Sequence, residues 1–205
     1  MYVGPGFAGK AASFESVLRA GGTRVRSEHP NRCTLTLDSA GQRRVIHLTT
    51  TPLLAKYIVE DPLDPTLDAH LLREFEAVRD ADGFIFVVDV RSFRAEASLH
   101  MLKVLRRYLA VFGRELDRIP CVFQANTHDQ AAQAVFKQWD PTNGFSVVPS
   151  QETFPLPMSW VKEHFNSGCC SYTESMADFD IGTVEAVAEL IRLITASTTD
   201  AQSSL

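Results

Sequence analysis

Gly4-Pro5-Gly6-Phe7-Ala8-Gly9-Lys10-Ala11 follows the pattern G-x-x-x-x-G-K-[ST] in every position but the last. The spacing has a physical reason. Glycines let the backbone curl until successive amides point inward at phosphate oxygens, and the positive end of the following helix adds to them. A lysine in the seventh position reaches the outer phosphates as a point charge, the part that falls to Lys10. The neighbourhood suits the pattern: the short apolar Met1-Tyr2-Val3 comes before it. Residues 11–20 read as a helix after it, with Phe14, Val17 and Leu18 on one side and Gly21-Gly22 as the stop. Gly4, Gly6, Phe7, Ala8, Gly9 and Lys10, with the first helical residues Ala11 and Ala12, are therefore the candidate phosphate-binding set. The apolar start is short, because a typical strand runs about five or six residues. Ala11 is a departure with a consequence. The hydroxyl expected there coordinates Mg²⁺, and alanine offers no oxygen, so coordination is weakened to what phosphates and water supply.

Outward from this loop, strand and helix signals alternate, the pattern of an α/β domain with a mostly parallel central sheet and helices on both faces. Residues 34–37 and 43–48 are β-rich runs joined by the hairpin-like Asp38-Ser39-Ala40-Gly41-Gln42. Residues 67–79 look helical. Phe84-Ile85-Phe86-Val87-Val88 is a continuous β-favouring run stopped by Asp89, as expected of a strand covered on both faces. Residues 95–112 read as a long amphipathic helix, 119–124 as a strand, 158–165 as a short helix, 171–173 as an edge strand and 183–196 as a closing helix. Residues 131–155 lack periodicity and read as an insertion or loop. Residues 197–205 are small and polar and read as a disordered tail, so the domain is expected to span 1–196.

Asn126-Thr127-His128-Asp129 follows directly on the 119–124 strand, at a carboxyl end of the sheet where ligands sit in open α/β folds. In the guanine-reading pattern N-K-x-D, the aspartate accepts hydrogen bonds from the ring imino and exocyclic amino groups. Asp129 fits that part and Asn126 the part that braces the loops. Thr127 stands where the pattern has a lysine whose stem covers one face of the base, so stacking area is lost. Glu174-Ser175-Met176-Ala177 follows the 171–173 strand. Ser175, Met176 and Ala177 form a small-residue loop whose amides could meet a guanine oxygen, and an ordinary strand-to-helix connection explains them equally well.

The composition narrows the function classes. The chain has 205 residues, 45% of them hydrophobic and 22% charged, with a net charge of −5. That balance suits one soluble domain and argues against nucleic acid or an acidic membrane surface as the main partner. No apolar run is long enough to span a membrane, no cleavable leader is visible, and Ser203-Ser204-Leu205 carries no prenylation cysteine. No membrane anchor is expected. Cys33, Cys121, Cys169 and Cys170 lack zinc-site spacing and read as free thiols of a reducing, cytoplasmic compartment. The six histidines are scattered without metal spacing, and Asp61, Asp64 and Asp68 read as a solvated acidic rim. Trp139 and Trp160 fall in or beside the insertion, where packing onto the domain accounts for them.

Taken in order, these segments resemble the small Ras-like GTPases of the P-loop NTPase fold, most closely the bacterial gliding-motility (MglA-like) type. The likeness is densest in Asp82-Gly83-Phe84-Ile85-Phe86-Val87-Val88-Asp89 and from Arg114 to Asn126, and the opening loop shares it. The resemblance implies a Ras-like G domain that binds GTP and GDP, sets cell polarity, and answers to protein regulators or effectors of the roadblock type. Thr50-Thr51-Pro52-Leu53-Leu54 aligns with that family's T-x-P-G-Q stretch. Leu53 then replaces the glycine whose amide senses the γ-phosphate, and Leu54 the glutamine that orients the attacking water. A leucine cannot hold water, so hydrolysis is expected to be weak or partner-dependent. Thr23 is the threonine nearest a metal-binding position, and a loop cap explains it as well. Two functions remain open: a guanine-nucleotide switch with little hydrolysis of its own, or a pseudo-GTPase scaffold for protein partners. An ATPase or kinase is disfavoured by Asn126, by Asp129 and by the lack of an acid after the 43–48 strand.

Overall fold

The computed structural model describes residues 1–21, 25–29, 32–39, 42–50, 69–127, 136–140, 144–148 and 155–203. In chain order these form β1 (Tyr2–Val3), α1 (Lys10–Gly21), β2 (Val25–His29), β3 (Arg32–Ser39), β4 (Gln42–Thr49) and α2 (Ala69–Asp80). They continue as β5 (Phe84–Asp89), α3 (Ala95–Val111), β6 (Cys121–Asn126), β7 (Phe136–Asp140) and β8 (Gly144–Val148). The last elements are α4 (Met158–His164), β9 (Cys170–Ser175) and α5 (Thr183–Ser203).

The apolar run that ends at Asp89 becomes β5, whose six residues are all buried. Its alternation distributes it between two cores. Phe84, Phe86 and Val88 face one side with Phe75 and Val78 of α2 and Met101, Leu105 and Leu109 of α3. Ile85 and Val87 face the other with Phe14 and Val17 of α1 and Ala186, Val187 and Leu190 of α5. A strand with no wet face needs no polar positions, and this one has none before Asp89. It lies in a four-stranded parallel sheet of order β1-β5-β6-β9. β9 is at the edge, as expected, although it runs 170–175 rather than 171–173. Helices therefore cover both faces of a parallel central sheet.

The β-rich runs of 34–37 and 43–48 form the antiparallel pair β3–β4, in register from Arg32 opposite Thr49 to Ser39 opposite Gln42. A parallel bridge between Tyr2 and Thr50 joins this pair to β1. Three readings are corrected. Residues 25–29, given no element in the sequence analysis, form β2, which pairs with β3; VRSEH has no apolar run, and a neighbouring ladder rather than local propensity makes it a strand. Within the segment 131–155, read as aperiodic, β7 and β8 form an antiparallel pair of their own. Strands of five residues are too short for their period to stand out. The closing helix runs to Ser203, past the expected end at Ala196. No glycine or proline interrupts residues 197–203, and Thr195 and Ser197 turn their hydroxyls back onto the carbonyls of Ile191 and Ile194.

Among the described residues no helix is long and apolar enough to cross a membrane, and the four cysteines are free thiols.

Candidate functional site

The loop between β1 and α1 sits at the carboxyl end of the parallel strands, and its shape is settled by where its carbonyls go. Lys10 Nζ donates to Gly4 O and to Pro5 O, both at 2.7 Å. Arg94 Nη2 donates to Gly6 O at 2.6 Å, and Arg91 Nη2 to Phe7 O at 3.1 Å. Asn126 Nδ2 donates to Ala8 O at 3.0 Å. Five consecutive carbonyls are thus held by side chains. Gly9 O begins the helical ladder by accepting from Ser13 N at 2.8 Å. The amides of Lys10, Ala11 and Ala12, in the first turn of α1, have no place in that ladder. No acidic residue stands in that turn to offset its positive end.

Backbone conformation agrees with this. Gly4, Phe7 and Gly9 have φ of 141°, 63° and 95°. At Gly4 only hydrogen fits, because a Cβ would lie 2.4 Å from Val87 O of β5. Phe7 holds the left-handed region without being glycine, at a cost of about 1–3 kcal/mol. The arginine bonds on either side of its peptide hold it there, and its ring is 63% exposed. The arrangement fits a phosphate group: a tight glycine cradle, amides at a helix start and a buried cation. Burial, and then the charge of Arg94, push the Lys10 ammonium down to about 8.

Two buried amides tie the loop to the far strands. Asn126, at the end of β6, accepts on Oδ1 from Ser175 Oγ at 3.0 Å and from Ala177 N at 3.1 Å while its Nδ2 holds Ala8 O. Gln124 Nε2 reaches Ser13 Oγ at 2.8 Å and Ser175 Oγ at 2.9 Å. Thr127 N donates to Ser175 O at 2.8 Å. Asn126 therefore ties the phosphate loop to the end of β9 and to the turn that follows it. The Ala177 amide, which a guanine oxygen was expected to meet, is spent on Asn126, and a base oxygen arriving there would have to share or replace that bond. Ser175 ends β9 rather than standing in the loop. Met176 bridges Ile181 across the turn that follows. Gly182, with φ of 74°, closes that turn, and a Cβ there would lie 1.9 Å from Glu174 O.

Four residues that the sequence reading left out belong to the site, Asp89, Arg91, Arg94 and Gln124. Asp89, fully buried, receives Arg91 Nε at 2.8 Å on Oδ1 and Arg91 Nη2 on Oδ2. Arg94 Nε approaches Oδ2 at 3.4 Å. The carboxylate thus fixes the two guanidiniums that hold the loop. Its signal was an acid closing an apolar strand. Gln124 had a comparable one, a polar residue inside a buried run, whereas nothing local marks Arg91 or Arg94.

The remaining candidates divide plainly. Gly4, Gly6, Phe7, Ala8, Gly9, Lys10, Ala11 and Ala12 come together at the loop, and Asn126, Thr127, Ser175 and Ala177 beside it. His128 and Asp129, residues 51–54 with Leu53 and Leu54, Thr23, and the acids at 61, 64 and 68 lie outside the described residues, as does the side chain of Trp139. Among the described residues, those at the loop do not fit Mg²⁺. Ala11 is exposed with no oxygen to give, and Thr50 rather than an acid follows β4. Among the described residues no group of three or more His, Cys, Asp or Glu could hold a metal ion.

No family model matches the sequence, and no curated protein matches it. The fold has solved counterparts. The chain superposes on the crystal structure described as nucleolar GTP-binding protein 1 from Plasmodium falciparum with a TM-score of 0.55 at 12% sequence identity, covering 98% of this chain and 87% of that one. With a parallel sheet, helices on both faces and a glycine loop running from β1 into α1, the chain has the α/β fold of the P-loop NTPases.

Proposed function

We propose that this chain binds a guanine nucleotide and serves as a regulatory switch whose GTP hydrolysis is weak or completed by a partner. The observation that carries the reading is the set of five consecutive loop carbonyls, Gly4 to Ala8, each turned onto a side-chain donor. A loop whose acceptors are all engaged elsewhere presents donors to what sits in it, and polyphosphate is the matching ligand. Lys10 orients the outer phosphates and the start of α1 adds its positive end. The choice of base rests on Asn126 and on Asp129 in the sequence, and the superposed Plasmodium protein is itself described as GTP-binding. Leu53 and Leu54, where a water-orienting glutamine would be needed, support slow turnover. The likeness to the gliding-motility type extends the reading to protein regulators of the roadblock type and to a role in polarity.

Calorimetric titration of the full chain with GDP, a non-hydrolysable GTP analogue and ATP tests this. GDP and the GTP analogue are expected to bind, and ATP at least tenfold more weakly. A folded protein that takes up no guanine nucleotide sinks the reading, and equal affinity for ATP removes the part given to Asp129. Rapid unassisted GTP turnover would overturn the part given to Leu54. A second reading, a pseudo-GTPase scaffold with little or no turnover, is favoured by Ala11, which leaves the loop without its metal-binding hydroxyl.

A further inference from the structure

We propose that Arg91 and Arg94, anchored on Asp89, supply at this loop the positive charge that a divalent cation supplies in loops ending in Ser or Thr, so that a nucleoside diphosphate binds here without Mg²⁺. The inference rests on the nucleotide reading above and names the electrostatics of that same site.

Two independent observations converge. The first is the lost metal ligand: Ala11 cannot coordinate, and Asp89, the carboxylate beside the loop, is committed to Arg91 and Arg94. The second is an unusual concentration of fixed cations. Lys10, Arg91 and Arg94 set three positive charges around one loop against the single charge of Asp89, leaving two in excess. Lys10 belongs to any such loop, so the arginine pair and its carboxylate add one positive charge beyond the ordinary complement.

These cations are preorganised. Arg91 engages both oxygens of Asp89 as a fork, which leaves Nη2 aimed at Phe7 O. Its guanidinium also lies 5.4 Å from the centre of the Phe93 ring. Arg94 reaches only Oδ2 of Asp89, through Nε at 3.4 Å, and donates to Gly6 O through Nη2. Both guanidiniums sit on the outer, carbonyl side of the loop, so they act through the peptides they polarise and through their field. They are positioning residues, and they need no solvent ion to stay in place.

The test uses the full chain, stripped of nucleotide and titrated with GDP by calorimetry in EDTA and again in millimolar Mg²⁺. Dissociation constants within about threefold of each other are expected. Binding at least tenfold tighter with Mg²⁺ overturns the inference and leaves the nucleotide reading standing, whereas no binding in either buffer overturns both. Arg94→Gln then assigns the charge. Arg94 is the more exposed of the pair, and Arg91 continues to neutralise Asp89, so the variant is expected to keep its melting temperature and lose tenfold or more in GDP affinity in EDTA. Arg94→Lys, which keeps the charge and cannot reach Asp89 and Gly6 O with two separate nitrogens, is expected to fall between. A structural role alone would leave the pH profile unmoved. Burial first and the charge of Arg94 second hold the Lys10 ammonium down, and among the described residues Arg91 and Asp89 are the other charged groups bonded at this loop. The upper pH limit of GDP binding is therefore expected to move upward in Arg94→Gln. Wild-type affinity in Arg94→Gln, or an unmoved limit in that variant, overturns the assignment.

Discussion

The two halves of the site are built in opposite ways. The half that faces phosphate is over-determined: three cations and a buried asparagine hold five successive carbonyls, and a glycine sits where no Cβ fits. The half that would face metal and attacking water has Ala11 in place of a hydroxyl and, in the sequence, leucines at 53 and 54. A loop can therefore hold its phosphate-binding shape through its own side chains after the metal ligands are gone. Binding and hydrolysis are separable properties of such a site, and the proposed function asks only the first of these residues.

The comparison breaks most severely at Gly4. Gly4→Ala forces a Cβ to 2.4 Å from Val87 O, at a φ that L side chains avoid. Backbone cannot yield there without opening β1 from β5. A loss of at least 4 kcal/mol is expected, read as a collapse of the urea midpoint with no GDP binding by any folded fraction. Gly6→Ala is the control, because nothing lies within 4 Å of its Cβ, and its stability is expected to stay close to that of the parent.

Asn126→Ala comes next. The side chain is 1% exposed and makes three hydrogen bonds, so its removal strands Ala8 O and Ala177 N in a buried setting. About 2–4 kcal/mol of stability should go, and the phosphate loop should lose its tie to β6 and β9. Denaturation measured with and without GDP separates the two effects. If the variant keeps full GDP affinity, the phosphate half stands without its brace to the base end.

How much of this was legible beforehand follows from what each residue does locally. The glycine loop, the doubly buried β5 and the Asn126 brace were readable because backbone constraint, hydrophobic run and position after a strand are properties of neighbours in the chain. Arg91 and Arg94 were not, because an arginine in a turn is ordinarily solvated. Only folding sets them beside residues 84 and 88 positions away. β2 escaped because the neighbouring β3 ladder decides it, and the β7–β8 pair because strands of five residues show no clear period. Asp129, read in the sequence as the residue that chooses the base, lies outside the described residues.

Lys10 allows a subtler test of the phosphate half. Its pKa of about 8 in the folded protein lies below the 10.5 of an unhindered lysine. Between these values the unfolded chain binds more protons, so the stability of the nucleotide-free protein rises with pH from 8 to 10.5. Below 8 the full penalty applies, on the order of 3 kcal/mol before the two carbonyl bonds are counted. Lys10→Met is therefore expected to stabilise the nucleotide-free protein at pH 7 by about 1–2 kcal/mol while abolishing GDP binding. In the parent chain, arriving phosphate restores the ammonium. GDP binding at pH 8.5 should take up more than half a proton, read from calorimetry in buffers of different ionisation enthalpy, and should weaken as pH rises further. A lysine that is fully charged at that pH would take up none.

The smallest effect is expected from restoring what the metal half lacks. Ala11→Ser returns the hydroxyl on an exposed position of the first helical turn, where serine costs about half a kcal/mol or less. If the absent oxygen alone excludes Mg²⁺, GDP affinity in Mg²⁺ should rise several-fold over that in EDTA, whereas the parent shows little difference. If Arg91 and Arg94 already fill the electrostatic role, the gain should stay within about threefold. It should then grow to tenfold or more in the double variant Ala11→Ser/Arg94→Gln, where the competing charge is gone. Additive single effects would mean that the arginine pair and the metal act at separate places. A metal gain that depends on Arg94 would mean that they stand in for one another.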